Sequence, residues 1–318
     1  MPTKPIKEQS MSEKRIISLL AAGTEIVCAL GLQNQLVGIS HECDFPEDIK
    51  KLPVCSSAEI DETLNSLQID GQVKDKLSNA LSIYKVDIER IKELKPDVII
   101  TQSQCEVCAV SLKDVERSLS DLINNGVEII SLQPDSLEDI FNDIEVIAGK
   151  LNADQNGLQL LEAMQERIDI IRHKLKFIDK KPKVVCIEWM SPLMTGGNWI
   201  PELIEIAGGI PLLSQNGKHS PVIDMEALRA ADPEIIVISP CGFPIEKTLQ
   251  DINFLLDLPG WAELSAVKNN QVFIADGNHY FNRSGPRIVD SLEILAEIIH
   301  PKQFVFGYQN SAWVQFSV

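Results

Sequence analysis

The stretch Ser136–Phe177, SLEDIFNDIEVIAGKLNADQNGLQLLEAMQERIDIIRHKLKF, decides the fold. It carries no strand signal and keeps helical apolar spacing nearly throughout. At 1.5 Å per residue, about 40 residues would make a rod of roughly 60 Å if unbroken. Gly149, Asn152 and Gly157 are where it would bend. On both sides of it, short apolar runs alternate with helical ones. One long helix between two such regions predicts two α/β lobes joined by a single crossing.

The flanks supply the lobes. Strands are expected at Arg15–Leu20, Leu36–Ser40, Val98–Thr101 and Val127–Leu132, with helices between them. Thr24 reads as the cap of a helix that runs through Ala29 and is ended by Gly31. A second helix starts at Ser111 and stops at Asn124-Asn125-Gly126. After Lys180-Lys181-Pro182 the alternation resumes, with strands at Val184–Trp189, Glu234–Ser239 and Gln271–Ala275. A last helix runs from about Pro286 to Ile299. Strands separated by helices of this length imply parallel βαβ units. The two flanks also match without gaps. Asp87–Ile91 through Lys95-Pro96-Asp97 to Ile100 aligns with Asp224–Leu228 through Asp232-Pro233-Glu234 to Val237. Each is a helix, a Pro break, an acid and an apolar strand. The expected division is a disordered tail over 1–14, an N-terminal lobe over 15–135, the connecting helix over 136–177, a C-terminal lobe over 178–300 and a tail over 301–318.

Composition narrows the function. Of 318 residues, 44% are hydrophobic and 24% charged, an ordinary globular balance. The formal net charge of −17 repels a nucleic-acid backbone or an anionic membrane. No run approaches the roughly 20 apolar residues of a membrane-embedded helix. The polar start MPTKPIKEQSMSEKR lacks the apolar core of a secretory signal. Together with seven cysteines, this leads us to expect a cytoplasmic location with free thiols, or a periplasmic one had a signal been removed.

The unusual side chains gather after predicted strand ends, where open parallel sheets bind ligands. His41-Glu42-Cys43-Asp44-Phe45-Pro46 follows one strand, and Gln102, Gln104, Cys105 and Cys108 follow another. In the second region Glu188, Trp189 and Met190, then Pro240-Cys241-Gly242-Phe243, then Asp276 to Arg283 do the same. If the lobes face each other, these rims line one cleft. The Cys105-x-x-Cys108 pair lies in a loop, ahead of the helix start at Ser111, which argues against a thioredoxin-type couple. A metal site built from His41, Cys43, Cys105, Cys108 and Cys241 stays open beside a reading in which the thiols merely line a pocket. Thr195-Gly196-Gly197-Asn198-Trp199 reads as a tight ligand-facing turn, and His219 lies in a loop that can face the cleft. Cys28 and Cys186 read as core residues.

RIISLLAAGTEIVCALGLQNQLVGIS, LKPDVIITQ, the long helix, MTGGNWIPELIEIAGG, ADPEIIVISP and QVFIADG together resemble the iron-siderophore and cobalamin family of ABC-importer binding proteins. The resemblance covers residues 15 to 300. Through HECDFP, TQSQCEVCAV, PCGF and GNHYFNRSGPR it is similar to the cobalamin-binding branch without a signal peptide. It implies two Rossmann-like lobes with mainly parallel sheets, one long backbone helix, little closure and a ligand held between the lobes. It also implies docking onto an ABC permease through acidic side chains.

The leading expectation is therefore a non-enzymatic binder of cobalamin or a related corrinoid, tetrapyrrole or metal complex. Phe45, Trp189, Trp199, Phe243, Tyr280 and Phe281 would pack against a flat ring, and His41 or a cysteine would reach its metal. Thr24, Gln102, Gly197, His219 and Arg283 complete the expected ligand-binding set. The alternatives are a redox protein or metalloenzyme using the Cys/His set with a bound transition metal, and an interaction platform that has lost its ligand.

Overall fold

Two parallel sheets form where the alternation of apolar runs and helices calls for them. The computed structural model describes residues 13–78, 83–102, 124 and 126–317. The first half contains β1 (Ile16–Ser18), α1 (Ala21–Ala29), β2 (Leu36–Ile39), β3 (Ser56–Ala58), α2 (Ser66–Ser78), β4 (Tyr84–Val86), α3 (Ile88–Leu94), β5 (Val98–Gln102) and β6 (Glu128–Leu132). The second contains α4 (Leu137–Lys150), α5 (Asp154–Leu175), β7 (Lys183–Trp189), β8 (Met194–Thr195), α6 (Ile200–Ile206), β9 (Ile210–Pro211), α7 (Met225–Ala231) and β10 (Ile235–Ile238). It continues with α8 (Ile245–Asp251), α9 (Asn253–Leu256), α10 (Ser265–Lys268), β11 (Val272–Ala275), α11 (Ile288–Ile299) and β12 (Trp313–Phe316). Residues 1–12 of the expected 1–14 tail, the helix start at Ser111, and Cys105 and Cys108 lie outside the described residues.

The N-terminal sheet has the order β2-β1-β5-β6 and is parallel throughout. Ile16, Ile17, Val98, Ile99 and Ile100 are all fully buried, because helices cover both faces of such a sheet. Helix α1 presses on it so closely that a Cβ at Gly23 would lie 2.7 Å from Ile100 Cγ2. That helix begins at Ala21 with Leu20 as its uncapped N-terminus. Thr24 is thus not a cap. It is a buried second-turn residue, because β1 passes into the helix within two residues.

The C-terminal sheet runs β12-β11-β10-β7-β8, with β9 also on β7. Strands β7, β9, β10 and β11 are parallel, and β12 and β8 add antiparallel edges. Residues 301–317 are therefore not a loose tail. Trp313 pairs with Ala275 in the sheet, and Phe304 and Trp313 are buried. The Glu297 carboxylate fixes the segment by accepting from Trp313 Nε1 at 2.8 Å and from the Gly307 amide at 2.6 Å.

The internal likeness read from sequence appears in the backbone. Asp87 and Asp224 cap α3 and α7 by accepting from the amides three residues on. Both helices end on a left-handed residue, Lys95 (φ 46°) or Asp232 (φ 41°), immediately before the proline. Proline disfavours the right-handed helical region for the residue before it.

The stretch 136–177 is not one rod. It breaks at Leu151-Asn152-Ala153, where Asn152 takes φ 57° and the Ala153 amide bonds back to Ala148 O at 2.8 Å. Helices α4 and α5 then fold back on each other. A Cβ at Gly157 would lie 2.5 Å from Ala148 Cβ, so glycine is what permits the approach. Helix α4 covers the first sheet through Ile140, Ile144 and Ile147. The 22 residues of α5, about 33 Å long, make the crossing alone. At its start Asn156 Nδ2 donates to Leu30 O at 2.7 Å. Near its middle Arg167 grips Glu293 of α11 with two bonds of 2.9 and 2.6 Å.

The excursion between Cys55 and Asp87, unassigned from sequence, leaves the N-terminal lobe. After β3 it extends through α2 onto the other lobe and returns by β4, antiparallel to β3. Ile69 is buried in the same cluster as Phe243, Leu255 and Trp261. The Ser66 amide donates to Asp251 Oδ2 at 2.6 Å, and Lys247 Nζ donates to Glu62 O. Its signal in sequence is Asn65-x-x-Gln68, a reciprocal cap. Asn65 Oδ1 accepts from the Gln68 amide at 3.0 Å while Gln68 Oε1 accepts from the Asn65 amide at 3.3 Å.

Candidate functional site

The two rims of strand-end loops meet, as expected for lobes that face each other. The meeting point is a buried ion cluster. Glu25 on α1 has 2% of its side chain exposed. It accepts from Arg283 Nη1 at 3.0 Å and from Arg287 Nε and Nη2 at 2.9 and 2.6 Å. Asp44, beyond β2, accepts from Arg283 Nη1 and Nη2 at 2.6 and 2.9 Å. Arg283 Nε donates to Asn278 O at 2.6 Å, so all three guanidinium nitrogens are engaged. Burial works against the charge on Arg283. The hydrogen bonds and charges of Asp44 and Glu25 outweigh it and hold the group above its ordinary pKa.

His279 sits on the edge of this cluster. Its Nδ1 is 2.8 Å from Asp276 Oδ2 and its Nε2 is 3.4 Å from Asp44 Oδ2. The hydrogen bond to Asp276 raises its pKa. Burial opposes the shift, the charges of Asp276 and Asp44 add to it, and Arg283 works against it. Burial would raise the Asp44 carboxyl, but Arg283, with His279 and Arg287, holds it below the ordinary range. The His279 contribution is complete below its ordinary pKa of about 6.5 and fades as pH rises through the higher folded value. The Asp44 contribution is present above the ordinary carboxylate pKa of about 3.9 and is lost as pH falls through the lower folded value. Both hold between roughly pH 4 and 6.5. The melting-temperature gap between wild type and His279→Gln is expected to be full below the ordinary histidine pKa of about 6.5 and to shrink as pH rises through the raised folded value. A gap independent of pH would refute this linkage.

Several residues expected to face a ligand are part of the framework instead. Thr24 is buried, with Oγ1 3.1 Å from Cys43 Sγ. Trp199 is buried and donates from Nε1 to Phe281 O at 2.7 Å, and Phe281 is itself buried. Phe243 lies beneath Trp189, ring centroids 5.2 Å apart, with Lys247 Nζ 3.9 Å from its centroid. Gly197 is a close-approach point, since a Cβ there would stand 2.3 Å from Lys218 O. Arg283 belongs to the ion cluster. Trp199, Phe243, Phe281 and Arg283 do lie in loops, but burial removes their side chains from the rim surface.

Other expected residues remain accessible. Phe45 is exposed, and Arg287 Cζ lies 4.2 Å from its ring centroid and 5.5 Å from that of Tyr280. One aromatic from each lobe thus flanks the same guanidinium. Trp189 and Gln102 are half-buried at the ends of β7 and β5, and His219 is exposed. The Trp189 indole Nε1 donates to Ser191 O at 3.0 Å.

The expected Cys/His set is not assembled among the described residues. Cys43 is buried and turned toward Thr24, and burial pushes its thiol up to about 11. Cys241 is exposed in the other lobe, its amide donating to Glu188 O at 3.2 Å. His41 groups instead with Glu42 and Glu62, whose ligand atoms lie within 4.8 Å of one another. The sequence reading placed Glu42 on the rim without a ligand role and missed Glu62, in the unassigned excursion.

The profile of the periplasmic binding protein family matches residues 16–278. The uncharacterized ABC transporter substrate-binding lipoprotein YvrC of Bacillus subtilis is 24% identical over 92% of this chain and 81% of its own length. The vitamin B12-binding protein of Vibrio vulnificus is 26% identical over 91% of each chain. The fold is shared with the periplasmic vitamin B12-binding protein BtuF of Vibrio cholerae, at TM-score 0.64 and 24% identity over 90% of this chain and 96% of that one. A periplasmic heme-binding protein of Pseudomonas aeruginosa superposes at TM-score 0.66 with 20% identity over 91% and 94%.

Proposed function

We propose that this chain, which belongs to the periplasmic binding protein family, holds a corrinoid or related tetrapyrrole between its lobes and passes it to an ABC permease. The family binds solutes and does not transform them. The observation that carries the ligand class is the aromatic pair Phe45 and Tyr280, one from each lobe, flanking Arg287 where the rims meet. A large flat ring finds aromatic stacking faces there, and the half-buried Trp189 at the end of β7 offers another. The relatives named as vitamin B12-binding proteins, aligned over about nine-tenths of this chain, support the corrinoid over other flat ligands. The redox and metalloenzyme alternative gains no support, since the thiols of Cys43 and Cys241 are not brought together with His41 among the described residues.

Titrating the purified protein with cobalamin is expected to quench tryptophan fluorescence and shift the visible corrin spectrum. Trp189→Ala should weaken binding about 10-fold, the loss of one stacked aromatic contact. Absence of both heat and spectral change at high micromolar corrinoid would remove cobalamin as the ligand. Haem binding under the same conditions would put a porphyrin in its place.

A further inference from the structure

We propose that His41, Glu42 and Glu62 form a binding site for one divalent cation of the zinc(II), cobalt(II) or iron(II) kind, where the β3–α2 excursion leaves the N-terminal lobe. Their ligand atoms already lie within 4.8 Å of one another. Metal–nitrogen and metal–oxygen bonds of about 2.0–2.2 Å would bring them roughly 3–3.5 Å apart. The two carboxylates sit on exposed residues and can close that distance by changing rotamer, with the backbone left in place.

The histidine is already positioned. Ser56 Oγ lies 2.8 Å from His41 Nδ1 and also accepts from the His41 amide at 3.2 Å. The Tyr84 ring packs beside the imidazole, centroids 5.1 Å apart. Nε2 is buried and makes no hydrogen bond, with Glu62 Oε1 4.0 Å away. When Nδ1–H donates to Ser56, Nε2 carries the free lone pair, 4.0 Å from Glu62 Oε1. Metal-binding histidines are commonly held in this way, with the far nitrogen fixed by an oxygen. Glu42 is oriented too, because Tyr84 OH donates to its Oε1 at 2.7 Å. Lys247, the cation that faces Glu62, donates to its main-chain oxygen and covers the Phe243 ring. The two carboxylates therefore leave a local negative charge that a divalent ion would neutralise.

The donor set selects the ion class. One imidazole nitrogen and two carboxylate oxygens suit borderline divalent metals, whereas calcium and magnesium prefer all-oxygen shells. Three protein ligands leave a coordination position open to water or a ligand group. Bound metal would also tie the excursion to the β2 loop, while Ser66 and Lys247 hold its other side on the C-terminal lobe.

The test uses the full chain after chelator treatment, titrated with cobalt(II) and zinc(II) without any corrinoid. The expected result is one cobalt(II) per chain with weak visible bands and no thiolate charge-transfer absorption. Zinc(II) should compete for it and raise the melting temperature. His41→Gln and Glu62→Gln should each weaken binding at least about 30-fold, in line with removal of one of three ligands, while circular dichroism stays unchanged. Cys241→Ser should leave affinity and stoichiometry as in wild type. No stoichiometric binding, undiminished binding in both variants, or a strong thiolate band would overturn the proposal. Because no corrinoid is present, such a failure leaves the ligand reading of the cleft intact.

Discussion

Replacing Arg283 with methionine is expected to cost about 3–5 kcal/mol of stability, the range for breaking one side of a buried ion cluster. Arg283 is 9% exposed and serves two carboxylates of the opposite lobe. Removing it leaves Glu25 with Arg287 alone and strips Asp44 of both its guanidinium bonds. Glu25, with 2% of its side chain exposed, cannot regain water while the lobes stay together, so its under-compensated charge is what destabilises most. Arg283→Lys should recover only part of the loss, because an ammonium cannot span Asp44, Glu25 and Asn278 at once. Urea unfolding followed by fluorescence measures it. A loss below about 1 kcal/mol, the usual worth of an exposed pair, would mean the cluster is solvated in solution.

Gly277→Ala should be the next most damaging change, at about 3 kcal/mol, the upper end of ordinary overpacking. A Cβ at Gly277 would lie 2.0 Å from Pro240 O and 2.8 Å from Ser239 C, both backbone atoms that no rotamer change can move aside. The same two loops are laced together by Gly277 N to Phe243 O at 3.0 Å and Gly242 N to Gly277 O at 3.3 Å. Separating them would displace Phe243 and, with it, Trp189. The contrasting substitution is Gly71→Ala on α2, where a Cβ meets nothing within 4 Å. It should stabilise by up to about 1 kcal/mol, because alanine loses less backbone freedom in a helix. Equal melting temperatures for the two variants would contradict the steric account.

The sequence by itself determined the features that depend on near neighbours. The strands at Ile16, Leu36, Val98 and Ile235 were legible because apolar runs bounded by turn residues need no distant information. So were the paired helix–Pro–strand units, whose caps at Asp87 and Asp224 act over three residues. That the Asp44 and Arg283 loops would sit on facing rims also followed, since ligand-side loops lie beyond the carboxyl ends of parallel strands. Even the break near Asn152 was written locally, although only the packing of Gly157 on Ala148 turned a bend into a hairpin.

Only the tertiary structure decided what each rim residue does. Arg283 looked like a ligand contact until it met Glu25, 258 positions away, and Asp44, 239 away. Cys43 looked like a metal ligand until its loop turned it toward Thr24, and its neighbour His41 found Glu62 across an excursion that the apolar pattern does not show. The reason is the range of the forces involved. Helix and strand patterns are enforced by residues a few positions apart. A polar side chain takes its role from whichever donor, acceptor or charge is left beside it once water is removed, and that partner is chosen by the packing of the whole chain.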